Sequence, residues 1–234
     1  MIKASFALTE TGALRKENQD HYLLDPETGL FAVADGLGGL PNGKQASVSA
    51  IEILQKKLEV FPDTGLDDLM AEVNRDCRIL GFDLNASGFG TTLTLVRHQP
   101  DEGCIELAHV GDSSAYLVTE GQVALLTEEH TVAARMIAAN FEAACEAIPP
   151  SAHHTLTQCI GQEPYIDPQL ASYKIRPGDR LFLFSDGVTK PLDDVTFREC
   201  LLLPEPVQRI CQALSFRIEI AGSPDNYTLV GVEF

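Results

Sequence analysis

The sequence predicts an α+β protein in which antiparallel β-sheets are faced by helices. Strand-like segments follow one another in hairpin-like runs, and helical segments are grouped between those runs. A parallel, doubly wound sheet would instead alternate strands and helices along the whole chain. With 44% hydrophobic and 22% charged residues in 234, the composition is that of a globular protein with ample material for a core.

The N-terminal part is predicted to contain strands followed by two helices. Apolar residues at alternate positions from Ile2 to Leu8 predict a strand with one buried face, and the run LFAVA (30–34) predicts a more deeply buried strand. Residues 42–60 have helical periodicity, with Asn42 as a candidate N-cap. Residues 66–80 repeat the pattern, with acidic residues in the first turn where the helix dipole favours them. One face of the first helix carries Ser47, Ala50, Ile51, Leu54 and Leu58.

The C-terminal part is predicted to be rich in strands. Four strand-like segments are TTLTLVRH, CIELAHV, SAYLVT and QVALL, the last two joined by Glu120-Gly121 in the manner of a hairpin. An Ala-rich helical stretch over 131–147 ends before Pro149-Pro150. Further strands are LASYKI, RLFLFS and TLVGVEF, with helical material around 193–220.

The net charge of −17 excludes some partners. Phosphates of nucleic acids and of anionic membranes would be repelled, so neither is expected as a partner. No apolar run is long enough to span a bilayer, and the N-terminus lacks a signal-peptide pattern. The six cysteines form no CxxC pair, which favours buried thiols in a reducing cytoplasm over a zinc site or a redox dithiol.

Five aspartates stand at the ends of predicted strands, one of them just before an early strand in KENQDHYLL. Each is the kind of residue that a tight turn uses, and for any single one a turn role is the better interpretation. The five are scattered over most of the chain, which excludes a local loop of the EF-hand kind. Together they predict a site in which hard oxygen ligands from several strand ends converge on Mg²⁺ or Mn²⁺. They are Asp20, Asp35, Asp112, Asp186 and Asp225.

An ordered series of motifs resembles a known family. The series runs from Gly12 to Val230 and consists of GALRKENQD, FAVADGLGG, GFGTTLTLV, AHVGDSSAYL, LLTEEHT, LTQCIG, GDRLFLFSDGVT and SPDNYTLV. It resembles the metal-dependent serine/threonine protein phosphatases of the 2C type, and more specifically their short bacterial members. The resemblance implies two packed antiparallel sheets flanked by α-helices on both sides, in a single catalytic domain over 1–234, with a flap-like segment at about 131–168.

The resemblance also implies a role for each site residue. Asp35 would bridge two metal ions, Mn²⁺ or Mg²⁺, and the carbonyl of Gly36 would bind one of them. Asp186 and Asp225 would complete the shell of the first ion, and Asp20 would act mostly through water. Asp112, together with Asp186, would hold a third, weaker ion. Arg15 would bind the substrate phosphate, for which its planar guanidinium is well suited.

The implied reaction is hydrolysis of phosphoserine or phosphothreonine in proteins. A hydroxide bridging the two ions would attack phosphorus in line, without a phosphoenzyme. The implied partners are phosphorylated proteins, targets of a serine/threonine kinase, and the protein is expected to act as a cytoplasmic monomer. Its acidic surface favours basic phosphoproteins.

The sequence departs from the family pattern at three points. Leu40 stands where bacterial relatives usually have histidine, so no general acid is assigned and the leaving group would take its proton from water. GDSS (111–114) replaces the commoner GDSR, which removes a positive charge close to Asp112 and bears on a third ion. The flap-like segment lacks the usual glycines, so substrate identity is not predicted.

The remaining histidines and the threonines near the site are given structural roles. His109 is expected to be packed in the core, and His130 to be a structural hydrogen-bonding residue. The pair His153-His154 could bind a metal, but solvated side chains are expected there. Thr91 and Thr92 are expected to support the site by packing.

Two other functions remain open. The first is a pseudophosphatase that binds phosphoproteins without turnover, against which retention of the core aspartates argues. The second is the sporulation and stress-response branch of the same superfamily, against which the motif from Arg15 to Asp20 argues. A purely structural role fits least well, because such carboxylates are costly to bury without cations.

Overall fold

In the computed structural model, residues 1–38, 42–139 and 148–234 are described. Within these ranges, two five-stranded sheets are present, and neighbouring strands are antiparallel throughout. The first sheet has the spatial order β2 (Asp20–Asp25), β3 (Leu30–Asp35), β4 (Leu93–Gln99), β5 (Cys104–Val110) and β8 (Gln169–Lys174). The second has the order β1 (Ala4–Glu10), β10 (Tyr227–Glu233), β9 (Arg180–Phe184), β6 (Ser114–Thr119) and β7 (Gln122–Leu125).

Helices cover the outer faces of both sheets. The helices are α1 (Gly43–Val60), α2 (Leu66–Asp83), α3 (Val132–Ala138), α4 (Asp186–Thr189), α5 (Asp194–Leu201) and α6 (Val207–Ile220), and a 3₁₀ turn spans Pro150–His153. Side chains of α1 and α2 pack on the first sheet, as Leu54 and Met70 do with Leu95. Side chains of α5 and α6 pack on the second sheet, as Phe197 and Leu214 do with Phe184.

A third apolar layer lies between the sheets. Phe31, Val96 and Leu107 of the first sheet share a buried cluster with Leu183 and Val230 of the second. The predicted α+β sandwich, two packed antiparallel sheets flanked by helices on both sides, is therefore confirmed. None of the helices in the described ranges combines the length and the apolarity that a bilayer crossing requires.

Most predicted elements are present with small shifts at their ends. The predicted inner face of α1 is buried, and the β6–β7 hairpin turns through Glu120 and Gly121, both with positive φ. The prediction for Asn42 is wrong in part, because Asn42 is the N-cap residue of α1 but its side chain makes no capping hydrogen bond. Its amide donates to the carbonyl of Ser87 at 2.8 Å instead. The helical material at 193–220 is divided in two by a break that contains Pro204 and Pro206, since proline cannot donate a helix hydrogen bond.

Some predictions fall outside the described residues. Of the helix predicted at 131–147, the part from 132 to 138 is α3, while 140–147 is not described. Leu40 and Cys145 also lie outside the described ranges. The other five cysteines are buried free thiols, as expected for core residues.

Strand register places the predicted aspartates at one edge of the sandwich, where "edge" means the side formed by the ends of the strands. Asp20, the first residue of β2, lies opposite Asp35, the last residue of β3. In the second sheet, Ser114 and Leu229, near the starts of β6 and β10, both lie opposite Phe184, at the end of β9. In an antiparallel sheet one strand ends where its neighbour begins. Residues that are far apart in sequence therefore meet at this edge.

Candidate active site

A cavity of about 210 Å³ opens at this edge. Its walls come from the ends of strands in both sheets, from the loop before β2 and from the segment after the 3₁₀ turn. Asp20 lies behind the wall, opposite Asp35. The other six predicted site residues line the cavity: Arg15, Asp35, Gly36, Asp112, Asp186 and Asp225.

A larger cavity, of about 440 Å³, lies elsewhere and includes Asp25 from the other end of β2. Its arginine, Arg97, already donates to the carbonyl of Thr64 at 2.9 Å and lies 4.0 Å from Glu106. Cavity volume therefore does not identify the site in this protein. The convergence of charged side chains identifies it.

Asp35 is fixed through its backbone by two threonines. Its N–H donates to Thr92 Oγ1 at 2.9 Å, and its carbonyl accepts from Thr91 Oγ1 and from the N–H of Thr92, both at 2.8 Å. Both threonines are buried. Their predicted supporting role is therefore played by hydrogen bonds to Asp35, in addition to packing.

Gly36 is held where a side chain would not fit. A Cβ atom at this position would lie 2.3 Å from the carbonyl oxygen of Gly43 and 2.8 Å from that of Gln19. The N–H of Gly36 donates to the same Gln19 carbonyl at 3.1 Å. The chain after Asp35 can thus approach the start of α1 closely only with glycine at this position.

Asp20 is buried and is held by two hydroxyl groups. Its Oδ2 accepts hydrogen bonds from Ser185 Oγ and Thr228 Oγ1, both at 2.7 Å. Its Oδ1 is also buried and has no hydrogen-bond partner among the described residues. A bond from Oδ1 to the carboxyl group of Asp35 would require one of the two groups to be protonated, because two carboxylates are both acceptors.

The carboxylates at the cavity repel one another. Burial raises the pKa of Asp20 to about 6, although the hydrogen bonds from Ser185 and Thr228 act to lower it. Burial, reinforced by the charges of Asp20, Asp186 and Asp112, raises the pKa of Asp35 well above its ordinary value. Burial and the charge of Asp186 raise the pKa of Asp112 to about 6. Positive charge in the cavity would relieve this repulsion.

Arg15 and Asp225 form an ion pair at the rim of the cavity. Nη2 of Arg15 donates to Oδ2 of Asp225 at 2.7 Å, and both side chains are more than a third exposed. The adjacent Asn226 holds the loop that carries Arg15, because its amide donates to the carbonyls of Thr11 and Glu17 at 2.6 and 2.9 Å. Its Oδ1 accepts from the N–H of Gln19 at 2.9 Å.

Asp112 and Asp186 share one lysine. Nζ of Lys190 donates to Asp112 Oδ2 at 3.2 Å and to Asp186 Oδ2. It also lies 3.1 Å from Nδ1 of His154. The expectation that His154 is a solvated loop residue is therefore wrong in part, because the side chain is exposed but belongs to the cavity wall.

The other histidines have the structural roles that were expected. His109 is fully buried between Thr94 and the carbonyl of Gly111, at 2.8 and 3.1 Å. His130 accepts from the N–H of Gly111 at 3.3 Å, and its own backbone N–H donates to the Gly111 carbonyl at 2.8 Å. These contacts position the loop that leads to Asp112.

The residues present suit a pair of hard divalent cations. The donors are all oxygen atoms, Asp20 Oδ1 is a buried acceptor without a described partner, and Gly36 brings backbone into the cavity. Among the described residues, no three His, Cys, Asp or Glu side chains are gathered closely enough to hold one ion unaided. The carboxylates are divided between partners, with Asp225 paired to Arg15 and both Asp112 and Asp186 paired to Lys190. Backbone carbonyls and water would have to supply the remaining ligands.

Several site residues were not predicted from the sequence. His154 was expected only to be solvated, and Lys190 was given no role there. The same holds for three residues within the quoted motifs: Ser185, Asn226 and Thr228. A usable signal existed for Lys190, since it follows Asp186 by four residues at the start of a short helix, where side chains at that spacing meet. The sequence held no comparable signal for Thr228, because its partner Asp20 is 208 positions away.

Two antiparallel sheets between helices, with aspartates from both sheets around one cavity, form the architecture of a 2C-type phosphatase. A profile of the family described as Protein phosphatase 2C matches residues 15–216, and the chain belongs to this family. Members of the family use Mn²⁺ or Mg²⁺, the cofactors that the sequence predicted.

Three comparisons, with two relatives, show the extent of the similarity. The chain is 29% identical over 238 residues to the serine/threonine protein phosphatase PstP of Mycobacterium tuberculosis, covering 96% of this chain and 43% of that protein. The chain thus spans less than half the length of PstP. It is 31% identical to the PPM Ser-Thr phosphatase MsPP of Mycobacterium smegmatis, whose structure contains cacodylate, with a TM-score of 0.87 and coverage of 100% and 99%. The PstP catalytic domain, whose structure holds two manganese ions, is 28% identical with a TM-score of 0.82, covering 99% of this chain and 98% of that one.

Proposed function

We propose that this chain hydrolyses phosphoserine and phosphothreonine monoesters in proteins, with two divalent ions as cofactors. The observation that carries the proposal is the convergence of aspartates from both sheets on one cavity that also contains an arginine. Membership of the family and the two manganese ions in the PstP domain support the same conclusion.

The proposed ligands are the groups that border the cavity floor. Asp35 would bridge the ions, the Gly36 carbonyl would bind one of them, and Asp186 and Asp225 would complete the shell of the first. Asp20, fixed by Ser185 and Thr228, would present Oδ1 toward Asp35. When bound, the two ions would supply Lewis acidity, which brings the pKa of water toward neutrality and so provides a nucleophile.

The protein's own groups would bind and orient the ester. Arg15 lies at the rim and can turn its guanidinium from Asp225 to the phosphate, to which it can donate two parallel hydrogen bonds. In-line attack by water-derived oxygen breaks the bond between phosphorus and the serine or threonine oxygen, and that oxygen leaves with a proton taken from water. His154 and Leu156, from the proposed flap-like segment 131–168, form part of the wall that the substrate would meet.

The wider context is proposed on the same basis. The chain would act as a single catalytic domain and a monomer in the cytoplasm, on proteins phosphorylated by a serine/threonine kinase. The net charge of −17 favours basic phosphoprotein segments over nucleic acids or anionic membranes.

The test is hydrolysis of p-nitrophenyl phosphate and of a phosphothreonine peptide with Mn²⁺, with Mg²⁺ and with EDTA. The wild type is expected to turn over both substrates with either metal and to lose activity in EDTA, and Asp186→Ala is expected to abolish turnover. Asp25→Ala is the matched control, because Asp25 also ends a strand but bonds only to the turn at Glu27 and Thr28 in the described structure.

The control is expected to keep metal-dependent turnover. A folded wild type that binds the phosphopeptide but hydrolyses neither substrate with any metal would contradict the proposal and support a pseudophosphatase.

A further inference from the structure

The lysine between Asp112 and Asp186 has a consequence for the number of ions that the site can hold. All three N–H groups of the Lys190 ammonium have partners: the two carboxylates and Nδ1 of His154. An ammonium has only three donors, so this side chain is fully satisfied at its place in the cavity wall.

Local structure holds Lys190 in that place. It directly follows α4, and its N–H donates to the carbonyl of Asp186 at 2.9 Å. Its side chain therefore starts one helical turn from the carboxylate that it binds. Only 32% of the Lys190 side chain is exposed, against 9% for Asp112 and 17% for Asp186.

The same carboxylate pair is where the sequence predicted a third ion. A divalent ion there would have to displace the ammonium or lie beside it, and like charges at such a distance repel strongly in a partly buried site. The positive charge that Ser114 fails to supply next to Asp112 is thus provided by Lys190, which follows β9, the strand paired with β6 in the same sheet.

We propose, resting on the function proposed above, that Lys190 is a built-in cation that replaces a third metal ion, so that this chain works with two ions only. His154 is the positioning residue for this lysine, since Nδ1 accepts the remaining N–H. Through His154, the segment after the 3₁₀ turn is connected to both carboxylates.

The test is the number of Mn²⁺ ions bound, measured by isothermal titration calorimetry and by the electron paramagnetic resonance signal of free Mn²⁺. The wild type is expected to bind two ions, and Asp112→Asn to leave that number unchanged. Lys190→Met, which keeps an unbranched side chain one atom shorter and removes the charge, is expected to bind three, and Lys190→Met with Asp112→Asn to bind two again.

Lys57→Met is the matched control. Lys57 of α1 also bridges two carboxylates, those of Glu72 and Asp76 of α2, at 3.0 and 2.7 Å. This ion-pair cluster lies away from the cavity. This variant is expected to bind two ions. Lys190→Gln, which can still donate hydrogen bonds, is a second variant in case Lys190→Met does not fold, and it too should gain an ion.

Two results would overturn the inference. One is a wild type that binds three ions and loses one on Asp112→Asn, which would mean that the lysine moves aside. The other is no gain of an ion in either folded Lys190 variant. Failure of the proposed function is distinguishable, because it would show as a wild type that binds fewer than two ions and does not hydrolyse either substrate.

Discussion

Asp20 and Asp35 lie directly opposite each other across the β2–β3 pair, and Asp20 is buried. Two like charges at directly opposed positions destabilise a sheet. The strands are nevertheless paired over the full length of β2, and apolar packing on both faces of β3 stabilises them. The site therefore carries an electrostatic cost that bound cations would remove.

The first prediction is that Mn²⁺ stabilises the wild type and that Asp20→Asn changes this effect. Without metal, the variant is expected to melt at a higher temperature than the wild type, because one of the two opposed charges is gone while Asn can still accept from Ser185 and Thr228. At a metal concentration about 100 times the dissociation constant, the wild type should gain about 2.7 kcal/mol. For a chain of this size that gain corresponds to a rise in Tm of about 5–10 °C.

The measurement is differential scanning calorimetry with EDTA and with Mn²⁺. Asp20→Asn should show a smaller rise on addition of metal than the wild type. Equal rises in both proteins would mean that Asp20 does not contribute to binding the ions.

The second prediction concerns Gly36. In Gly36→Ala the new Cβ would be 2.3 Å from the Gly43 carbonyl, and neither backbone segment can move without disturbing Asp35 or the start of α1. Overpacking of this kind costs at least about 1–3 kcal/mol. Both Tm and Mn²⁺ affinity are therefore expected to fall.

Gly38→Ala is the control on the same loop. There the nearest atom to a new Cβ is Arg15 Nη2 at 3.5 Å, an ordinary contact. Its Tm and Mn²⁺ affinity should match those of the wild type, and a similar loss in both variants would argue against a specific steric role for Gly36.

The third prediction separates substrate binding from metal binding at Arg15. In Arg15→Ala the KM for p-nitrophenyl phosphate is expected to rise by about 10–100-fold, the equivalent of a charged hydrogen bond worth about 1.5–3 kcal/mol. Mn²⁺ affinity should not weaken, because the substitution frees Asp225 from its ion pair. Steady-state kinetics and metal titration give the two quantities.

Lys16→Ala, at the exposed neighbouring position, is the control and should leave KM within about twofold, as expected for a screened surface charge. A fall in kcat of Arg15→Ala with unchanged KM would contradict the assignment of Arg15 to ground-state phosphate binding.

The strand ends were predictable because local chemistry determines them. An apolar run followed by Asp-Gly is compatible with few local structures other than a strand that ends in a turn. Asp35 and Asp186 both lie where such a run ends. The antiparallel pairing then brings them to one edge. The sequence could thus indicate which residues meet, through their shared position relative to the strands.

The partners of those aspartates were not predictable in the same way. Ser185 and Thr228 contact Asp20 from 165 and 208 positions away. Threonine is common in strands for its β-propensity alone, so Thr228 gives no separate signal of this contact. The pairing of Asp225 with Arg15 and of Asp112 with Lys190 depends on side-chain directions at the edge of the sandwich. Motif order carries no information about these directions.

The last prediction concerns His109 and acid stability. Burial, with the nearby His130 as a smaller cause, lowers the pKa of His109 from 6.5 to about 3, although the Gly111 carbonyl and a contact with Glu128 act in the opposite direction. The folded state therefore favours the neutral ring, so this residue's contribution to stability is complete above pH 6.5 and is lost as the pH falls. Between about pH 6.5 and 3 the free energy of unfolding should fall by about 1.4 kcal/mol per pH unit on account of this group.

His109→Gln, which can still bond to Thr94 or to the Gly111 carbonyl, is expected to be less stable at pH 7.5 but to lose less stability on acidification. Urea denaturation at pH 7.5, 6.5 and 5.5 in the presence of EDTA measures both effects. Parallel stability curves for the two proteins would mean that His109 takes up its proton without unfolding, and that the acid sensitivity of the chain arises elsewhere.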